Sequence, residues 1–221
     1  ADRRQYPQYY NTVEGLCIAS GLPMPKLYIM ENSQINAFAS GRNPQNSVIC
    51  VTTGALQNLD KHELEGVLSH ELSHIANYDI RFMTLVAILV GMVAIISEIF
   101  LRSLWYGHGG SNDSNNKGNA IFLLIGIILA ILAPIFVHLV QLAISRKREY
   151  TADASAVKFT RSPTGLIGAL KKIKKEHINP KESKHISKVI APLFISNPFK
   201  NSDITSTHPA LDKRIAILER M

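Results

Sequence analysis

The first 60 residues alternate short apolar runs with turn residues, a pattern that predicts one helix and a small sheet. Apolar side chains recur at helical spacing between Gln5 and Ser20, and Gly21 ends that segment. The runs Lys26 to Met30 and Val48 to Thr52 are rich in β-forming residues and are bounded by Pro and Gly. Residues 35–39 between them are typical of a third strand, so we expect a small sheet.

A second pattern, with the period of an α-helix, predicts an amphipathic helix that begins near Asp60. Asp60 can cap this helix, and Glu63 three residues later completes a capping box. His70, Glu71 and His74 lie beside the apolar stripe, at the boundary between core and solvent. The stripe itself comprises Leu64, Val67, Leu68, Leu72 and Ile75.

Two long apolar segments follow. Met83 to Leu104 is interrupted by Glu98 and Arg102, whereas Ile121 to Ile144 contains no Asp, Glu, Lys or Arg. Each reaches the roughly 20 residues that a helix needs to cross a bilayer, and two buried core helices are the alternative. Residues 107–119 are polar and rich in Gly and Asn, which predicts a loop. The chain is therefore expected to divide into residues 1–81, a hydrophobic helical hairpin over 82–145, and 146–221.

Charge gives the hairpin an orientation. Arg81 precedes it and residues 146–148 are all basic, so the positive-inside rule predicts that both outer ends face the cytoplasm. The net charge of +7 is compatible with an anionic membrane surface or with nucleic acid. No zinc-knuckle spacing or aromatic-rich RNA-binding pattern accompanies the basic residues, so nucleic acid is not expected as a partner.

The C-terminal part predicts three more helices. Helical character continues from the second apolar segment through Tyr150 to Phe159, and Ser162-Pro163 is typical of the start of a helix that continues to Lys175. A polar stretch from Asn179 to Ser206 follows, and a last amphipathic helix should start at Pro209.

The sequence His70-Glu71-Leu72-Ser73-His74 indicates metal chemistry. Residues four apart project from one face of a helix, so both imidazoles can bind one zinc ion. Glu71 between them can reach a water on that ion without being a ligand itself. The alternative is that these are surface or capping residues of an ordinary helix. Catalytic zinc requires a third protein ligand and one open position.

Glu149 is the best candidate for the third ligand, because no His occurs at the spacing that metzincins use. Glu149 and Asp153 are four apart, so one helix face offers a ligand and a second carboxylate. Asp153 could accept the far ring N–H of a zinc-bound His. The alternative is that both acids offset neighbouring basic residues. An antiparallel hairpin would return residue 149 to the neighbourhood of His74.

Four blocks of residues occur in one order along nearly the whole chain. They are Asn36-Ala37-Phe38-Ala39, Gly66 to His74, Ser145 to Asp153, and Thr207-His208-Pro209 ahead of Arg214-Ile215. Together they resemble the HtpX family of membrane-bound zinc metallopeptidases, which is related to the CAAX prenyl-protein endopeptidases. The resemblance implies a gluzincin-type fold, mainly α with a small β-sheet (α+β), one zinc ion per chain, and further apolar segments upstream.

The resemblance also implies a function. A zinc endopeptidase of this family would cleave damaged or misfolded membrane proteins at the cytoplasmic face of the inner membrane, as part of stress response and quality control. Asn36 to Ala39 would form an edge strand that pairs with substrate, although Phe38 could equally be core. His208 would hydrogen-bond the tetrahedral intermediate, although a His before Pro is often structural.

Two other functions remain open. One is prenyl-protein (CAAX) endopeptidase activity, which the sequence does not separate from general proteolysis. The other is a non-catalytic membrane scaffold with a structural zinc ion. Structural zinc sites usually have four protein ligands and favour Cys. Only three convincing ligands are found here, with a Glu placed as a base, so the enzyme is favoured.

Overall fold

The computed structural model describes residues 1–106, 146–178 and 209–221, together with positions 124–126, 128 and 132. This part of the chain is mainly helical with one small sheet, which confirms the predicted α+β class. Its elements are α1 (Pro7–Ser20), β1 (Lys26–Met30), β2 (Ala37–Asn43), β3 (Asn46–Thr52), α2 (Thr53–Asn58), α3 (Lys61–Ala76), α4 (Asp79–Tyr106), α5 (Arg146–Thr160), α6 (Thr164–Ile178) and α7 (Leu211–Leu218).

The three strands form a mixed sheet in the order β1-β3-β2. β1 pairs with β3 in parallel, with Lys26 opposite Val48. β2 pairs with β3 in the antiparallel direction, with Phe38 opposite Cys50. Since β3 is the central strand, β2 has a strand on one side only among the described residues. The backbone of β2 is thus an edge of the sheet.

The third strand is displaced from the predicted range of Ile35 to Ala39. β2 begins at Ala37 and continues to Asn43. The backbone N–H groups just before it donate to side chains: that of Ile35 donates to Glu176 Oε2 at 2.7 Å, and that of Asn36 donates to Thr52 Oγ1, at the end of β3, at 3.0 Å. Such side-chain acceptors compete with ladder hydrogen bonds, and periodicity does not reveal them.

α3 runs through the centre of the core, and all residues from Glu63 to Ile75 except Glu65 are buried. The predicted capping box is confirmed, because the Glu63 N–H donates to Asp60 Oδ1 at 2.9 Å and the Asp60 N–H donates to Glu63 Oε2 at 2.8 Å. α6 approaches α3 closely at Gly66. A Cβ there would lie 2.4 Å from the Leu166 backbone nitrogen, so any larger residue would force the helices apart.

The chain bends sharply between α3 and α4. Tyr78, at the bend, has φ of 60°. Residues 83–104, the first apolar segment, lie within α4 and are helical as predicted. Among the described residues, no helix taken singly has both the length and the apolar character to cross a membrane. Lys61–Ala76 and Asp79–Val93 meet that requirement only together, with a bend of 88°.

The C-terminal helices lie close to their predicted positions. α5 is described from Arg146 onwards, α6 begins just after Pro163, and α7 begins two residues after Pro209. The second apolar segment apart from five isolated positions, the loop at 107–119 and the polar stretch 179–206 lie outside the described residues.

Candidate metal centre

His70 and His74 lie one turn apart on α3, and both rings are buried. Their Nε2 atoms are 3.2 Å apart. The two rings meet edge to face, with centroids 4.8 Å apart and planes at 89°. The two Nε2 atoms are thus the closest parts of the two rings, and both face the same point beside the helix.

α5 brings Glu149 to the same point. Its Oε2 lies 3.6 Å from His70 Nε2, and its Oε1 lies 3.7 Å from His74 Nε2. One donor atom from each of these three residues lies within 4.8 Å of the others. Ligand atoms held tetrahedrally at zinc distances are about 3.3–3.6 Å from one another. The type of the donors and their spacing therefore fit a zinc ion.

Each histidine has a carboxylate behind its other nitrogen. Asp153 Oδ1 lies 3.0 Å from His70 Nδ1, and Asp79 Oδ2 lies 3.1 Å from His74 Nδ1. A carboxylate at Nδ1 keeps the proton on that nitrogen and leaves Nε2 as the metal donor. In both rings Nε2 is the atom that faces Glu149, so the two tautomers suit coordination.

The sequence alone predicts no role for Asp79. It is the first residue of α4, and the left-handed backbone at Tyr78 turns it back towards His74. Its Oδ1 also lies 3.9 Å from Arg148 Nε on α5. In the sequence, Asp79 is an acid five residues after the second histidine. That spacing would not bring the two side chains together on a straight helix, and the bend at Tyr78 is what places them in contact.

Arg214 on α7 is the second residue without a predicted role. Its side chain has no solvent exposure, and its guanidinium binds Asp153 through two atoms, at 2.9 Å from Nε and 2.6 Å from Nη2. Its Nη1 lies 3.2 Å from Glu149 Oε2, and its Nη2 lies 3.3 Å from His70 Nδ1. Arg214 therefore adjoins a ligand carboxylate and a ligand imidazole.

The sequence contained a signal for Arg214. The apolar stripe of the last helix consists of Leu211, Ile215 and Leu218, and position 214 falls on the same face. A cation on a core-facing stripe is costly to bury unless it is paired. Such a position requires a buried partner, and the partner is the pair of acids on α5.

The buried charges shift one another's titration. Burial and the Arg214 charge lower the pKa of His70, but hydrogen bonds with Asp153 and Glu149 outweigh both and raise it to about 9. Burial alone would raise the pKa of Asp153, whereas Arg214 and His70 hold it below its usual range. A metal ion must displace the proton from His70 Nε2, since both use one lone pair.

Glu71 lies between the three-donor group and β2, and it interacts with His70, His74 and Glu149 on one side and with Ala39 on the other. It is 2% exposed, and burial raises the pKa of its carboxyl, with His70 and His74 opposing that rise. The Ala39 backbone N–H donates a hydrogen bond to its carboxylate. Glu71 therefore connects the metal-binding helix to the edge strand.

The other predicted site residues lie on or beside β2. Asn36 is 4% exposed, and its Oδ1 accepts the Ala37 N–H at 3.0 Å. Ala37 and Ala39 are buried, and Phe38 packs against Met83 and Ala87 of α4. His208 lies outside the described residues.

A helix that presents two histidines one turn apart, faced by a glutamate from a second helix, defines a zinc-peptidase type of centre. Residues 4–221 match peptidase family M48, and the chain belongs to that family. It is therefore a metalloprotease, as predicted.

Curated relatives confirm the resemblance to the HtpX family. A "Protease HtpX homolog" from Caldanaerobacter subterraneus subsp. tengcongensis is 45% identical over 224 residues, covering 100% of this chain and 74% of the relative. Proteins of the same name from Dictyoglomus turgidum and Ligilactobacillus salivarius are 46% and 41% identical, each over 99% of this chain and over 71% and 74% of their own lengths.

The fold is similar to that in the crystal structure of S. mikatae Ste24p. The TM-score is 0.52 at 19% sequence identity, and the match covers 95% of this chain and 49% of that chain. This chain thus spans about half of that protein. At this identity the likeness concerns the fold.

Proposed function

We propose that this chain is a zinc-dependent endopeptidase that hydrolyses peptide bonds in damaged or misfolded membrane proteins. The observation that supports this most directly is the convergence of His70, His74 and Glu149 within 4.8 Å. Three protein ligands leave one position for water or substrate, as catalytic sites require. Zinc held there would polarise the scissile carbonyl and lower the pKa of a water to about 7.

Glu71 is the general base in this proposal. It takes a proton from the attacking water and later delivers it to the leaving amine. Its burial supports this role, because burial raises the pKa of this carboxyl and a more basic carboxylate accepts a proton more readily. The Ala39 N–H bond holds the carboxylate on the side of the edge strand.

The substrate lies along β2 in this proposal. Asn36 to Ala39 offer the edge of the sheet, and an extended peptide can pair with such an edge through its backbone. The bond between Ala39 and Glu71 supports this arrangement, since a peptide added there would pass beside the base. His208 would stabilise the negative charge that develops on the carbonyl oxygen, as the family resemblance implies.

Arg214, Asp79 and Asp153 are positioning residues. The two aspartates fix the tautomers of the two ligand histidines, as carboxylates behind metal-bound imidazoles do. Arg214 compensates the charges of Asp153 and Glu149, which would otherwise repel each other in the core. None of the three would touch the substrate.

Membrane proteins are the proposed substrates because the chain exposes an apolar face of its own. The side chains of Ile95 and Ile99 on α4 are 61% and 64% exposed, which favours a lipid neighbour over water. The basic residues at both outer ends of the apolar segments favour a site that faces the cytoplasm. The bilayer is thus the second partner in this proposal.

The test is cleavage by the purified chain in detergent. Zinc-loaded protein is incubated with an unfolded membrane protein and, separately, with a prenylated CAAX peptide. We expect cleavage of the membrane protein that a chelator abolishes and added zinc restores. Cleavage of the prenylated peptide alone would favour the CAAX endopeptidase. Stoichiometric zinc binding without cleavage of either would favour the scaffold with structural zinc.

A further inference from the structure

A groove outside the metal centre lies between the tip of the β2–β3 hairpin and the first turns of α4. Its volume is about 350 Å³. The residues that line it are Gly41, Arg42, Asn43, Arg81, Thr84, Leu85 and Ile88. Nothing in the proposed peptidase chemistry uses these residues.

The hairpin tip is fixed against α4 by hydrogen bonds. Thr84 Oγ1 accepts the Gly41 N–H at 3.0 Å and lies 2.9 Å from Ser40 Oγ. Gly41 has φ of 141°, and a Cβ there would lie 2.3 Å from the Asn46 carbonyl oxygen. Only glycine fits this turn. The turn and its hydrogen bonds to Thr84 fix the hairpin tip as one side of the groove, and α4 forms the other side.

One end of the groove is cationic. Among its lining residues, two are arginines and none is acidic. The Arg81 Nε donates to the Arg42 carbonyl oxygen, which orients the Arg81 guanidinium and leaves its two Nη groups as further donors. Guanidinium groups bind phosphate through paired N–H donors. This end therefore suits a phosphate group.

The other end is apolar and continues along α4. Leu85 and Ile88 are 51% and 56% exposed. Met92, Ile95 and Ile99 extend the same helix face, and each is more than half exposed. From residue 85 to residue 99 this face is about 21 Å long. An acyl chain has the length and the apolar character to lie along it.

The residues around the start of α4, next to Arg81, have the composition of a membrane interface. Arg81 lies over the ring of Tyr78, 5.0 Å from its centroid, and Arg148 lies over the ring of Phe82 at 5.6 Å. Aromatic and cationic side chains concentrate at the level of lipid headgroups. This supports a lipid as the occupant, because an acidic peptide would not need an apolar continuation of this length.

We propose that the groove binds one anionic phospholipid, with its phosphate between Arg42 and Arg81 and an acyl chain along Leu85 and Ile88. The inference rests on the membrane association in the proposed function. The peptidase activity itself is not required for it. The bound lipid would hold the hairpin, and with it the edge strand β2, at a fixed depth beside the membrane surface.

The test is native mass spectrometry of the full chain in detergent with equal amounts of phosphatidylglycerol and phosphatidylcholine of the same chain length. We expect one phosphatidylglycerol to be retained per chain, with a preference of roughly 25-fold, because the two interfacial arginines contribute roughly fivefold each. Arg42→Gln combined with Arg81→Gln should reduce the preference to below about threefold. Arg42→Gln alone, which keeps the Arg81 side chain, should reduce it by roughly fivefold.

The matched control removes the same charge elsewhere. Arg4→Gln combined with Arg220→Gln changes two exposed arginines outside the groove and should retain the preference. Equal preference in both double variants would overturn the site, as would displacement of the lipid by inorganic phosphate. If the unchanged protein retains both lipids equally, the headgroup site fails but membrane association stands. If it retains neither, membrane association fails as well, whatever the cleavage assay gives.

Discussion

The metal centre and the outer face of α4 depart from the usual distribution of polarity in opposite directions. At the centre, Arg214, Asp153 and Glu149 are at most 3% exposed, whereas Ile95 and Ile99 on α4 are more than half exposed. The buried charges compensate one another through contacts between α3, α5 and α7. Among the described residues, the exposed apolar face has no comparable compensation.

The two regions are therefore stable under different conditions. A buried ionic cluster is costly to desolvate and stays stable only while all its members remain. An exposed apolar face adds little to folding in water and contributes favourably only when a neighbour removes it from water. Substitutions in the first region should therefore affect chemistry or stability strongly, whereas substitutions in the second should mainly affect where the protein resides.

The largest effect is expected from Glu71→Gln. This change removes the proposed base but none of the three donor side chains, so turnover should fall by about 10³-fold while zinc is retained. Cleavage rates of the unfolded membrane protein and metal content after gel filtration measure the two quantities. Glu65→Gln, at a half-buried position on the same helix outside the metal centre, is the control. Undiminished cleavage by zinc-loaded Glu71→Gln protein would exclude Glu71 as the base.

Arg214→Met should give the largest loss of stability. It leaves Asp153 and Glu149 buried without their cation, which lowers the free energy of unfolding by about 3–5 kcal/mol. Arg220→Met, an exposed change close to it in sequence, should stay within about 0.5 kcal/mol. Denaturant unfolding in detergent compares the two. Equal losses would show that the ionic cluster is not the source of the difference.

Asp79→Asn should weaken metal binding without removing a ligand. The amide cannot accept the His74 Nδ1–H through a charged oxygen, so zinc affinity should fall about 10–100-fold. Competition with a chelator of known affinity measures this change. Asp212→Asn is the matched control, since Asp212 pairs with Lys174 on the surface. If the zinc affinity of Asp79→Asn is unchanged, the contact between Asp79 and His74 does not contribute to metal binding.

The smallest effect on folding is expected on α4. Ile95→Ser combined with Ile99→Ser should change the free energy of unfolding by less than about 1 kcal/mol, but should reduce retention on lipid vesicles. Leu72→Ala in the core should cost about 2–5 kcal/mol and leave retention unchanged. If the α4 variant is as destabilised as Leu72→Ala, this face packs against protein and not against lipid.

Local patterns in the sequence predicted the elements that local interactions determine. The capping box at Asp60 and Glu63 and the period of α3 required only residues a few positions apart. The start of β2 could not be predicted in this way, because it depends on Glu176 accepting the Ile35 N–H from a distant helix. α2 was not predicted, since six residues carry too little periodic signal.

The same distinction applies to the candidate site. The spacing of His70, Glu71 and His74 is local and indicates metal chemistry on its own. Glu149 could be suggested only by elimination and by the return of a hairpin. The partnership of Asp79 with His74 depends on a backbone bend, and that of Arg214 with Asp153 joins residues 61 positions apart. Tertiary structure decides such pairs, although the charge on an apolar stripe marked Arg214 as unusual.

The position of Arg214 on the last helix also bears on synthesis. The ribosome releases α3 and α5 before α7, so for a time the nascent polypeptide carries the histidines and both acids without the guanidinium that offsets them. The centre therefore stays without its arginine until translation has passed residue 214. Ribosome-bound chains that stop before residue 209 should accordingly hold less zinc than chains that include α7.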